Sequence, residues 1–158
     1  MKNKREELGP YEYSKKLDDS LASKSRQKVK GGIYTGQWND VDNTREGRGI
    51  MTWDDGSVYE GNWSKNRANG SGRLIHADKS IYDGQWREDM AHGFGTFIGV
   101  DGTKYVGFWE KDYEHGKAKV EYPDGTIFVG IFAGGKKNGA GKLTWTNGSF
   151  YEGEFKDN

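Results

Sequence analysis

The chain has 158 residues, 24 basic and 24 acidic side chains, 25 glycines and no cysteine. Without cysteine it has neither a disulfide framework nor a thiolate metal site, and no apolar run approaches the roughly 20 residues that span a bilayer as a helix. Only 32% of residues are hydrophobic while 14% are aromatic, so an ordered core has to be built from rings, each burying roughly 150–250 Å².

Residues 1–31 form a polar, basic arm. Within residues 1–32 there are nine Lys or Arg against five Asp or Glu, and the remainder is acidic by the same margin. The charged start lacks the apolar stretch of a secretory signal, so a cytoplasmic protein is expected. Lys24, Arg26, Lys28 and Lys30 alternate, and an extended chain would line them along one edge or face. Two readings stand side by side: an electrostatic contact with an acidic surface such as tubulin, anionic lipid or the chain's own acidic repeats, or a lysine-blunted edge strand.

From residue 32 to 158 the chain repeats. An aromatic-x-Gly-x-aromatic unit begins at Tyr34, Tyr59, Tyr82, Tyr105, Phe128 and Tyr151. The step is 23 residues, except for a first step of 25 that places two extra residues in "NDVDNTR" (39–45). Glycine columns follow at Gly47, Gly70, Gly93, Gly116 and Gly139, and at Gly49, Gly72, Gly95 and Gly141, with Ala118 as the departure in the second. A turn column reads Asp55-Gly56, Asp78-Lys79, Asp101-Gly102, Asp124-Gly125 and Asn147-Gly148.

Residues two apart share one face of a strand. The first aromatic, glycine and second aromatic therefore face the same way, and the strand after each second glycine alternates too. Asp-Gly and Asn-Gly predict tight two-residue hairpin turns with both central φ positive. The expectation is all-β: an elongated single-layer antiparallel meander of consecutive β-hairpins, about eleven strands, after an irregular N-terminal arm. Residues 32–158 would hold five full units and the first strand of a sixth. Mid-strand glycines such as Gly61 are expected to lie beneath aromatic rings.

"YEGNWSKNRANGSGRLIHADKSIYDGQW" (59–86) resembles the MORN repeat (membrane occupation and recognition nexus), and the likeness runs over about residues 32–158. Similar repeats occur in lysine methyltransferases, plant phosphoinositide kinases, junctophilins, radial-spoke heads and protist cytoskeletal scaffolds. Where such proteins are enzymes, catalysis sits in a separate domain. The resemblance implies a sheet that holds partners, with lipid binding also attributed to the family.

The residues offer little to catalysis. His92 and His115 share one repeat position and should stand two strands apart, about 10 Å at the backbone, with no third ligand in the column. "GGKKNGAGKLT" (134–144) misses the register of a phosphate loop. No broad basic face for nucleic acid exists. No catalytic, cofactor or metal site is expected.

The face opposite the rings is polar in most copies: Glu60 and Asn62, Asp83 and Gln85, Glu152 and Glu154. In two copies it is apolar. Val106, Phe108, Val129 and Ile131, joined by Ile98, are expected to form a patch, and such patches mark interaction sites. An external protein is one occupant; the chain's own arm, through Tyr13, Leu17 or Leu21, is another. The strand carrying Tyr151, Gly153 and Phe155 would leave an open edge for strand addition, which would permit self-association.

These features point first to a non-catalytic scaffold or structural subunit that binds other protein subunits. The resemblance places it in a cytoskeletal, ciliary or axonemal assembly. The alternative is a peripheral membrane adaptor binding acidic phospholipid through the basic arm.

Overall fold

The computed structural model describes residues 3–14 and 16–158. A short helix, α1 (Lys4–Leu8), precedes twelve strands. They are β1 (Ala22–Val29), β2 (Gly32–Asn39), β3 (Thr44–Trp53), β4 (Val58–Ser64), β5 (Arg67–Ile75), β6 (Ile81–Arg87), β7 (Met90–Ile98), β8 (Lys104–Glu110), β9 (Tyr113–Glu121), β10 (Ile127–Ala133), β11 (Lys136–Thr144) and β12 (Phe150–Phe155). They follow chain order as an open antiparallel meander. The chain forms two compact units, one up to Met90 and one over Ala91–Asn158.

The arm is not irregular throughout: of the two readings of Lys24–Lys30, the edge strand is the one found, with residues 22–29 forming β1 at the end of the strand order and pairing with β2 from Ala22↔Trp38 to Val29↔Gly32. A bulge at Arg26, whose φ is +49°, breaks the ladder between Lys24 and Gln27. An extra residue flips side-chain parity. Lys24 therefore pairs with Gly36 on the ring face, whereas Lys28 pairs with Ile33 on the other. The four cations do not share a face. Lys24 Nζ is held 2.8 Å from Asp40 and lies over the Trp38 ring.

The turn chemistry also differs from expectation. Both central φ are positive at Lys65-Asn66, Glu88-Asp89, Lys111-Asp112 and Gly134-Gly135, so these pairs make the two-residue turns. At Asp55-Gly56 only Gly56 is positive, at +89°, and Trp53 N–H donates to Ser57 O at 2.9 Å. That is a three-residue loop ending in a left-handed glycine. An Asp-Gly pair suits either loop, because both have a left-handed position that glycine adopts without strain, though Lys79 takes it in the Asp78-Lys79 loop at φ +79°. The two extra residues of the first step lie in the loop between the paired Asn39 and Thr44.

One face is built from rings. In the first unit Tyr34, Trp63, Tyr59, Trp86 and Tyr82 meet edge to face, with centroids 5.0–5.5 Å apart. In the second, Trp109, Tyr105, Phe132, Phe128, Phe155 and Tyr151 do the same at 4.9–5.5 Å. Edge-to-face pairs contribute roughly 0.5–1.5 kcal/mol each beyond burial. The rings lie over glycine: a methyl group on Gly72 would collide with the Tyr59 ring, and one on Gly141 with Phe128. Each tyrosine hydroxyl then reaches the carbonyl three residues on, as Tyr59 does to Asn62 at 2.9 Å and Tyr105 to Phe108 at 2.7 Å. Each of Trp63, Trp86 and Trp109 donates Nε1–H to a glycine carbonyl of the neighbouring hairpin. Beside β1, Trp38 Nε1 is buried without a partner.

A second ladder runs along the two-residue turns. Asn66 N–H donates to Arg45 O at 3.1 Å, and Asn66 Oδ1 accepts from Arg45 N–H at 2.8 Å. Asp89 does the same with Ala68, and Asp112 with Ala91. Gly135 N–H bonds to Glu114 O but has no side chain to complete the exchange.

Candidate functional site

Opposite the rings, the two units treat the same repeat positions differently. In the first unit they are covered by the chain's own arm. Glu60 on β4 is 2% exposed. Its Oε1 accepts from Arg5 of α1 at 2.7 Å and its Oε2 from Arg73 of β5 at 2.7 Å. Arg73 also donates to the Gly9 carbonyl of the arm at 2.7 Å. Tyr11 stands against the Arg73 guanidinium and Tyr13 against that of Arg48, at 5.7 and 4.9 Å. Ser14 Oγ bonds to Ser71 Oγ. Gln37, also buried, donates to the Asp18 carbonyl at 2.7 Å.

These contacts make the first unit's face a polar interior. Burial, with Asp83 as the next contributor, pushes the Tyr11 phenol up to about 12. Burial likewise raises Tyr13 and holds the Asp83 carboxyl above its usual range. Nothing in the sequence separates Glu60, Arg73 or Gln37 from ordinary solvated residues; only their burial does.

In the second unit, strand register places Thr96, Val106, Lys119 and Val129 in one cross-strand row. In the adjacent row, Phe94 pairs with Phe108 and Ile131 with Lys117. Val106, Phe108, Val129, Ile131, Phe94 and the two lysines line a shallow groove of about 500 Å³. Phe108 is 49% and Val129 53% exposed. Phe94 and Phe108 pack edge to face at 5.5 Å.

Four of the five apolar residues expected to converge thus lie in one groove. Ile98 stands apart: it pairs with Lys104 in the next row and does not line the groove. Phe94 was missed because the strand was expected to begin at Gly95, whereas β7 begins at Met90. Its parity with Thr96 is the signal that could have found it. The arm residues Tyr13, Leu17 and Leu21 belong to the first unit, where Leu21 approaches Gly47.

Among the described residues, no three His, Asp or Glu side chains converge as a metal site. His115 faces Glu110 at 3.6 Å. No described helix is long and apolar enough to cross a membrane. Along β12, which pairs with β11 on one side from Gly139↔Phe155 to Thr144↔Phe150, Tyr151 and Phe155 turn into the ring ladder. The Tyr151 hydroxyl lies against Gly153 and bonds to Glu154 O.

No curated protein sequence matches the chain. Among solved structures it is similar to the SAS-4 (dCPAP) TCP domain of Drosophila melanogaster, solved in complex with a proline-rich motif of Ana2 (dSTIL). Identity is 12% and the TM-score 0.37, with 94% of this chain and 99% of that chain covered; a likeness of that size carries nothing about function. The MORN repeat profile matches residues 34–58, 59–81, 82–104, 105–127 and 128–150, and the chain belongs to the MORN repeat family.

Proposed function

We propose that this chain is a non-catalytic scaffold subunit that holds another protein on the ring-free face of its second unit. The carrying observation is the contrast between matched repeat positions. Where the first unit presents Glu60 and Gln37 and buries them under the chain's own arm, the second presents Phe108, Val129 and Ile131 in an open groove. Exposed apolar surface on an otherwise polar sheet favours a macromolecular partner. A cytoskeletal assembly, ciliary or axonemal, is the setting that the resemblance to short MORN arrays supports.

The test is co-purification from the native source with Phe108→Asp plus Ile131→Asp. Both side chains lie outside the ring ladder, so the melting transition should stay near that of the parent. Loss of a stoichiometric partner is the expected result. Undiminished capture by the folded double variant would defeat the reading.

A further inference from the structure

The groove is not uniformly apolar. Two walls, Phe108 with Val106 on β8 and Ile131 with Val129 on β10, flank a floor on β9 from which Lys117 and Lys119 rise. No carboxylate lines it. Glu121, the nearest acid on β9, stands one row away and holds Lys119 at 2.6 Å. Walls two strands apart are separated by about 10 Å. The first unit shows how such a face is occupied: a chain segment lies across it, placing charged and aromatic side chains on successive strands. That occupant is basic where it meets Glu60, so a second copy's arm would bring Arg5 to lysines rather than to a carboxylate.

We infer that the groove takes an acidic segment of a partner protein, with two apolar side chains about 10 Å apart and one or more carboxylates between them. The apolar pair fills the walls on β8 and β10, and the carboxylates meet Lys117 and Lys119. A lysine with its stem on apolar neighbours and its head at a carboxylate loses little by the exchange, because its stem stays packed. Charge of this kind selects among partners more strongly than it adds raw affinity. In a helical segment the pattern is apolar at i, acidic at i+3 or i+4 and apolar at i+7, since 1.5 Å per residue gives about 10 Å over seven residues.

This inference rests on the scaffold reading and is separable from it. A random peptide library displayed on phage is selected against the full chain, and enriched peptides are measured against four proteins. These are the parent, Phe108→Asp with Ile131→Asp, Lys117→Glu with Lys119→Glu, and Lys119→Gln. Expected are acidic peptides with the apolar spacing above. They should weaken about tenfold or more on the glutamate pair, less on Lys119→Gln, and be lost on the aspartate pair. Groove-dependent peptides that are neutral or basic would overturn the acidic specificity and leave the scaffold reading standing. Peptides indifferent to the groove variants, or none at all, would overturn both. Binding of phosphatidylserine vesicles that the glutamate pair abolishes, without peptide binding, would overturn them in favour of a membrane surface.

Discussion

Arg5 of the N-terminal arm donates to the buried carboxylate of Glu60, fifty-five positions along the chain, at 2.7–2.8 Å through both Nε and Nη2. Arg73 satisfies the other oxygen and also holds the Gly9 carbonyl. The arm is thus fastened to the sheet through one carboxylate shared by two guanidinium groups, of which one is half exposed and the other buried.

The two arginines should therefore be unequal. Arg73→Ala leaves Glu60 buried beside a single partner and frees the arm's carbonyl. A cost of about 3 kcal/mol is expected in urea unfolding, as for other broken buried pairs. Arg5→Ala removes an exposed partner and should cost less than about 1 kcal/mol, while making residues 3–14 more sensitive to protease. Equal costs for the two variants would show that Glu60 is not held as described.

Alkaline pH should release the arm. The docked Tyr11 phenol is raised to about 12, chiefly by burial, whereas a free phenol titrates near 10. The released arm loses its proton first, so docking is at full strength below pH 10 and weakens as pH rises from about 10 to 12. Tyrosinate absorbance recorded alongside proteolysis of the arm should show this, with Tyr11→Phe moving the onset of release upward. Release indifferent to that substitution would assign the alkaline transition to other groups.

The ring face should not tolerate a methyl group at Gly72, where it would meet the Tyr59 ring and hydroxyl. Gly72→Ala is expected to cost about 2 kcal/mol through overpacking. The column already holds one alanine, Ala118, next to Gly107. There the Tyr105–Trp109 interplanar angle is 69°, against 83° for Tyr59–Trp63 and 88° for Tyr82–Trp86. Ala118→Gly should change stability by less than Gly72→Ala does, in the same denaturant titration.

Turn staples can be removed or added. Asp89→Ala deletes the acceptor for Ala68 N–H, bonded at 2.7 Å, and should cost about 1 kcal/mol. Gly135, at φ +79°, faces Glu114 without a staple. Asparagine tolerates the left-handed region, as Asn66 does at φ +68°. Gly135→Asn should raise the melting temperature of the second unit, and a fall would contradict the ladder's contribution.

What the sequence made legible was whatever repeats. Tyr59, Gly61 and Trp63 recur at a fixed step, and their columns assign the ring face, the glycines beneath it and the apolar exceptions Val106 and Phe108. What it hid was whatever occurs once. β1 carries none of the repeat's residues, and the bulge at Arg26 disguises its alternation. The two-residue turns use Lys-Asn, Glu-Asp, Lys-Asp and Gly-Gly, a column without one recurring pair, so the more conspicuous Asp-Gly column drew the assignment. Glu60 and Arg73 look like surface residues until a segment some fifty positions away covers them.

A partner protein, not the chain's own arm or a bilayer, is expected to occupy the groove of the second unit. Photocrosslinking in the native source from benzoylphenylalanine placed at Phe108, with the same group at Thr35 on the first unit as control, tests this. A discrete protein adduct from position 108, absent from position 35 and lost with Lys117→Glu plus Lys119→Glu, is the expected result. Adducts of equal yield from both positions, or lipid adducts alone from position 108, would contradict it.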